Sequence, residues 1–162
     1  MILKKIISRY TTYNHWANEK MTQWLKTFDN NLLYKEVPSS FSSIDLTLQH
    51  MKNAQRFWLT ILAEGDVTKL DETVLLNATD RIMKELLTAS RQMIDTFEIY
   101  SDEDLLKQVS NGATIQSRYD FILHVINHNS YHRGQIVTMS RCLGIVDNIP
   151  LLDYEVFLWS EY

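Results

Sequence analysis

SRYDFILHVINHNSYHRGQIVTMSRCLG, residues 117–144, reads as one long helix with its boundaries written in. Ser117 stands where an N-cap is wanted, and Asp120 puts a carboxylate in the first turn. Phe121, Val125, His128, His132, Gln135 with Ile136, Met139 and Leu143 recur at three- and four-residue intervals. Gly144 then stops the run. A helix with such a stripe must bury it against partners, and three further segments carry the same period.

Leu3, Ile7, Tyr10, Ala17, Met21, Trp24 and Phe28 predict a first helix from about Leu3 to Phe28, ended by Asp29-Asn30-Asn31. For the second, Ser42 is the expected N-cap, with Asp45 at the third helical position and Phe41 and Leu46 as a hydrophobic staple. Its stripe holds Met51, Ala54, Phe57, Trp58 and Ile61, with His50 among them, and it closes near Ala63 and Gly65. The third is expected from about Thr79 to Phe97, capped by Asn77 or Thr79, with Ile82, Leu86, Leu87, Met93 and Ile94 giving its period. Asn111-Gly112 predicts a small hairpin or extended loop before the fourth helix. Beyond Pro150, one or two helical turns are expected behind Asp153. The expected fold is an all-α antiparallel four-helix bundle, one domain over residues 1–162, with the second and fourth helices running in the same direction.

Composition agrees. Four glycines and two prolines in 162 residues are too few for the many turns of a sandwich or barrel. The formal charge of −4 is interspersed, with no Lys/Arg block, so a nucleic-acid surface is not expected. A single cysteine, Cys142, excludes an internal disulfide and a thiolate-rich zinc site, and it reads as an inert small apolar residue. No apolar run approaches the ~18 residues of a membrane span. The opening MILKKIISRYTTYNHW reads as the start of the first helix and not as a signal peptide, so a cytoplasmic protein is expected.

Positions four apart on a helix are offset by only about 40°. His128 and His132 therefore share a face, and two imidazoles so placed can bind one metal ion. A buried imidazole needs a partner. His50, also on an apolar stripe, can supply a third ligand from the second helix. The predicted site is His50, His128 and His132, holding a divalent first-row ion (zinc, nickel, iron or manganese), since neutral imidazole suits several of these. A single histidine on an apolar stripe is ordinarily a hydrogen-bonded core residue, and that alternative stands beside the site.

His124 is offset further, so either His124 with His128 or His128 with His132 forms the helical pair. The second is preferred because Val125 continues the stripe better than His124. His15 reads as a surface or hydrogen-bonding residue. Gly134, inside the helix, suggests close approach of another helix or a tolerated glycine. Arg133 could pair with a carboxylate such as Asp153 or steer an anion.

YNHWAN at 13–18, LTLQHMKNAQRFWL at 46–59, HVINHNSYHRGQI at 124–136 and PLLDYEVFL at 150–158 together resemble the DinB-like superfamily, which includes the bacillithiol- and mycothiol-dependent S-transferases. The resemblance spans nearly the whole chain. It implies a four-helix bundle with a mononuclear metal on His50, His128 and His132, and a homodimer. It also implies metal-dependent S-transfer, with a low-molecular-weight thiol as partner, or hydrolysis of a small molecule. The alternative is a non-catalytic metal- or small-molecule-binding bundle. No His-Glu-x-x-His motif places a general base, and no Glu-x-x-His pair suggests a diiron centre. Catalytic side chains beyond the ligands are therefore unassigned.

Overall fold

The structure, a computed structural model, describes residues 2–71, 73–75 and 78–160. The four expected long helices are α1 (Ile2–Leu25), α3 (Ile44–Leu62), α4 (Thr79–Glu98) and α6 (Arg118–Cys142). Among the described residues three short helices accompany them: α2 (Asn30–Leu33), α5 (Asp102–Leu106) and α7 (Tyr154–Ser160). Strands β1 (Gln108–Ser110) and β2 (Ile115–Ser117) form the expected hairpin, with Gln108 opposite Ser117 and Ser110 opposite Ile115. Gly112 turns it at φ 89°, while the Asn111 side chain accepts from the Ala113 and Thr114 amides. The short helices α2 and α5 were not expected. Each begins at a capping side chain, Asp29 and Ser101, where no helix start was expected.

The boundaries of α6 fall where expected, with Ser117 as N-cap and Gly144 at φ 83° beyond the C-terminus. Those of α3 shift. Its N-cap is Ser43, one residue later than Ser42, and the Ser43 hydroxyl accepts from the Leu46 amide at 3.2 Å. The shift takes Phe41 out of staple position. At the other end Glu64, not Gly65, takes the left-handed conformation, at φ 56°. Gly65 is small for a different reason: a Cβ there would lie 3.1 Å from the Thr60 methyl. Thr79 is the first residue of α4, not its cap, and its hydroxyl donates to Asp45 Oδ1 at 2.5 Å. Asn77, the other expected cap, lies outside the described residues.

The expected all-α bundle with antiparallel helix pairs is found, but the helix directions differ from those expected. Thr47 meets Met139, Gln55 meets Asn129, and Leu62 meets Arg118, so α3 and α6 are antiparallel. Asp45 meets Thr79 and Lys52 meets Glu85, so α3 and α4 are parallel. Asn14 and Asn18 both meet Arg133, with Trp24 reaching Asp147, so α1 runs with α6. His15 meets Ser90 and Lys4 meets Asp102, so α1 opposes α4. The order is up-down-down-up. The connection over residues 63–78, with a 3-10 turn at Val67–Lys69, is long enough to return along the bundle. Helix order and length do not encode this choice.

The core has two apolar ends. Met21, Leu25, Ile44, Leu48, Ile82, Ile136 and Met139 pack at one. Ile7, Leu62, Met93, Phe97, Phe121, Ile122 and Val125 pack at the other. Between them lies a buried polar layer of Asn14, Asn18, Gln55, Asn129 and Arg133. None of the described helices is long and apolar enough to cross a membrane.

Candidate metal centre

His50 is the seventh residue of α3, and His128 and His132 lie one turn apart on α6. Because α3 and α6 are antiparallel, the start of α3 faces the second half of α6, and the three rings meet across the seam. His128 Nε2 lies 3.0 Å from His50 Nε2 and 3.1 Å from His132 Nε2. All three ligand atoms fall within 4.8 Å of one another. His132 is buried, while His50 and His128 are half-buried.

Burial holds all three rings below the ordinary histidine value of 6.5. His128 is lowered furthest, to about 4, by burial first and then by His132, His50 and His124. His50 is lowered by burial and by His132. In His132 the effect of burial is opposed by a hydrogen bond to Gln135. The rings are neutral near pH 7.

Neutrality makes the geometry informative. A neutral imidazole nitrogen carries either one proton or one in-plane lone pair. His128 Nε2 takes part in both short contacts, so it can complete only one of them well. Elsewhere in the ring, buried His128 Nδ1 has no hydrogen-bond partner. A cation satisfies all three Nε2 atoms at once. Imidazole nitrogens bind first-row ions at about 2.0–2.1 Å, which sets neighbouring ligand atoms about 3.0–3.4 Å apart. The two short spacings to His128 fit, and the all-nitrogen donor set suits such an ion. Among the described residues, no carboxylate or cysteine completes the group.

His124 is not in the cluster. It is exposed and lies edge-on to Trp58, ring centroids 5.0 Å apart, with His128 at 5.9 Å. His15 is a hydrogen-bonding residue, with Nδ1 2.7 Å from Ser90 Oγ. Three other readings change. Arg133 is buried and, among the described residues, pairs with no carboxylate: it donates to Asn14 Oδ1, Asn18 Oδ1 and Ser130 Oγ at 3.0, 2.9 and 2.8 Å. Gly134 is exposed, and nothing lies within 4 Å of where its Cβ would be, so none of the described helices packs against it. Cys142 is exposed on the last turn of α6.

Sequence reasoning missed Gln135 and Phe41. Gln135 Oε1 lies 2.7 Å from His132 Nδ1, and the Phe41 ring stacks on His50 at 4.3 Å. The three-residue step from His132 to Gln135 was a usable signal; the approach of Phe41 across a loop had none. A groove of about 690 Å³ opens elsewhere, between α3 and α4 along Lys52, Arg56, Arg81 and Glu85, and no triad residue lines it.

Comparison with known proteins agrees with this architecture. The DinB family model matches residues 3–161. Protein DinB of Bacillus subtilis (strain 168) is 26% identical over 157 residues, covering 91% of this chain and 90% of that protein. A DinB-like protein from Bacillus cereus ATCC 10987 superposes with a TM-score of 0.69 at 19% identity, over 86% of this chain and 91% of that one. The DinB-like protein YjoA from Bacillus subtilis gives a TM-score of 0.61 at 13% identity, over 94% and 98%. These two structures share the fold. The chain belongs to the DinB family.

Proposed function

Taking DinB membership as the premise, we propose that the chain is a metal-dependent enzyme acting on a small molecule. In this reading His50, His128 and His132 hold one divalent ion of zinc, nickel, iron or manganese through Nε2. The observation that carries it is the convergence of three neutral Nε2 atoms that cannot satisfy one another. When bound, such an ion supplies Lewis acidity that makes a water or a thiol nucleophilic near neutral pH.

The chain's own part follows from its geometry. Burial keeps the three lone pairs available at pH 7 by holding the rings neutral. A structural zinc site is closed by four protein ligands, whereas a catalytic site keeps a position open. Three ligands with half-buried His50 and His128 favour the open kind. The reaction is thiol transfer from a low-molecular-weight thiol to an electrophile, or hydrolysis.

The test is the metal content of untagged protein prepared without chelator, alongside His50→Ala and His132→Ala. Near-stoichiometric metal, lost in both variants with helicity retained, supports the reading and opens a screen of thiols and electrophiles. A native chain that takes up none of the four metals on titration overturns it.

A further inference from the structure

The connection from α2 to α3, residues 34–43, touches the histidine cluster twice. Phe41 lies against His50, ring centroids 4.3 Å apart and planes 27° apart, and reaches His132 at 5.8 Å. Its neighbour Ser40 accepts from Gln135 Nε2 at 2.9 Å. The other end of that amide, Oε1, lies 2.7 Å from His132 Nδ1.

The amide contact has a chemical consequence. An amide oxygen carries no proton, so the short contact needs the proton on His132 Nδ1. A neutral ring protonated at Nδ1 has its lone pair on Nε2, the atom that faces His128. The reversed amide would donate to Nδ1, move the ring proton to Nε2 and aim an N–H at His128. A serine hydroxyl can donate or accept, so Ser40 tolerates either orientation, and the His132 tautomer reports which one holds. His128 has no comparable support, since its Nδ1 lacks a partner.

We propose that Ser40, Phe41 and Gln135 are positioning residues for the three-histidine cluster. The Ser40–Gln135 relay holds His132 in the Nδ1–H tautomer with its Nε2 lone pair directed at the centre, and Phe41 holds the His50 ring. The connection at 34–43 thereby becomes part of the site, so ion uptake and the seating of this connection reinforce each other. The inference rests on the metal reading for its purpose, but the tautomer is a property of the metal-free protein. Outer partners that orient a ligating histidine commonly change metal affinity by 10–100-fold.

The experiment is a long-range proton–nitrogen NMR correlation of the histidine rings in metal-free protein, with His132 assigned by its loss in His132→Ala. It is paired with zinc affinity measured by chelator competition. The expected result is an Nδ1–H ring at His132 in the native chain and in Gln135→Glu, whose carboxylate also accepts. Gln135→Leu should populate the other tautomer and weaken zinc by about 10–100-fold. Ser40→Ala, on the exposed connection, should act in the same direction by less, and Phe41→Leu should weaken zinc without moving the His132 tautomer. An Nε2–H ring in the native chain overturns the relay, and so does a Gln135→Leu protein with native tautomer and native affinity. A native chain that binds no zinc, nickel, iron or manganese refutes the proposed function, while the NMR result alone still decides the relay.

Discussion

Two polar constellations occupy the same level of the bundle and share a helix, yet they are built on opposite logic. His128 and Asn129 are consecutive, as are His132 and Arg133. Consecutive helical residues point about 100° apart. One member of each pair therefore faces the α3/α6 seam and the other faces the bundle axis. In the axial layer unlike groups meet. Gln55 Oε1 accepts from Asn14 and Asn129 at 2.8 Å each, Gln55 Nε2 donates to the Leu86 carbonyl, and Arg133 donates to Asn14 and Asn18. Asn18 Nδ2 and Asn129 Oδ1 alone remain without partners among the buried atoms of this layer. In the seam, like atoms meet, with Nε2 facing Nε2 twice. A network that pairs donors with acceptors holds a fold together; one that sets like atoms against each other is arranged for something else.

The largest effect should come from Arg133→Ala. It strips donors from Asn14 and Asn18 inside the core and leaves a cavity, so a loss of about 3 kcal/mol or more is expected in urea unfolding. Metal content per folded molecule should hold. If Arg133→Ala instead keeps its stability and loses metal, the division between the two constellations is wrong.

Next comes the ion itself. Zinc at 100 times its Kd should raise native stability by about 2.7 kcal/mol through mass action, and His132→Ala should abolish the rise. In the metal-free state, His132→Ala should change stability by much less than Arg133→Ala, because the seam is not self-supporting. Thermal unfolding with and without zinc checks both.

Acid should act on the seam before it acts on the axial layer. His128 has a folded-state value of about 4 against an ordinary 6.5. The folded chain therefore binds fewer protons than the unfolded chain between those values. Its contribution is complete above about pH 6.5 and is lost as pH falls towards about 4. Metal uptake should fall in the same direction as protons compete for the rings. As pH drops through this range, the urea midpoint of metal-free native protein should fall relative to that of His128→Asn.

The smallest effect is a control. Gly134 sits on the outward face of α6, so Gly134→Ala should stabilise by about 0.5–1 kcal/mol and leave metal uptake unchanged.

This contrast also separates what was legible in the sequence from what was not. The four-residue spacing of His128 and His132 and the stripe position of His50 are local facts, and a helix converts them directly into a shared face. The extents of α4 and α6 were legible for the same reason. The sense of α3 against α6 was not, because apolar periodicity is identical for a helix read up or down. The same triad was expected from parallel helices and is assembled by antiparallel ones. Arg133 misled because a charged residue suggests a charged partner, and its real partners are neutral amides on α1. Ser42 and Ser43 are equally good caps by chemistry, and one residue of difference moved Phe41 from a staple onto His50.

The up-down-down-up order has a consequence for how the chain matures during synthesis. Consecutive long helices never settle as adjacent antiparallel hairpins: α1 and α3 lie on a diagonal, α4 and α6 on the other, and α3 and α4 are parallel neighbours. Contacts such as that of His50 with His128 join residues 78 apart. Such long-range closure slows folding relative to bundles of local hairpins. A nascent chain leaving the ribosome can pack α4 against α1 and α3, but the faces of α1 and α3 that meet α6 stay uncovered until α6 has emerged, through Cys142.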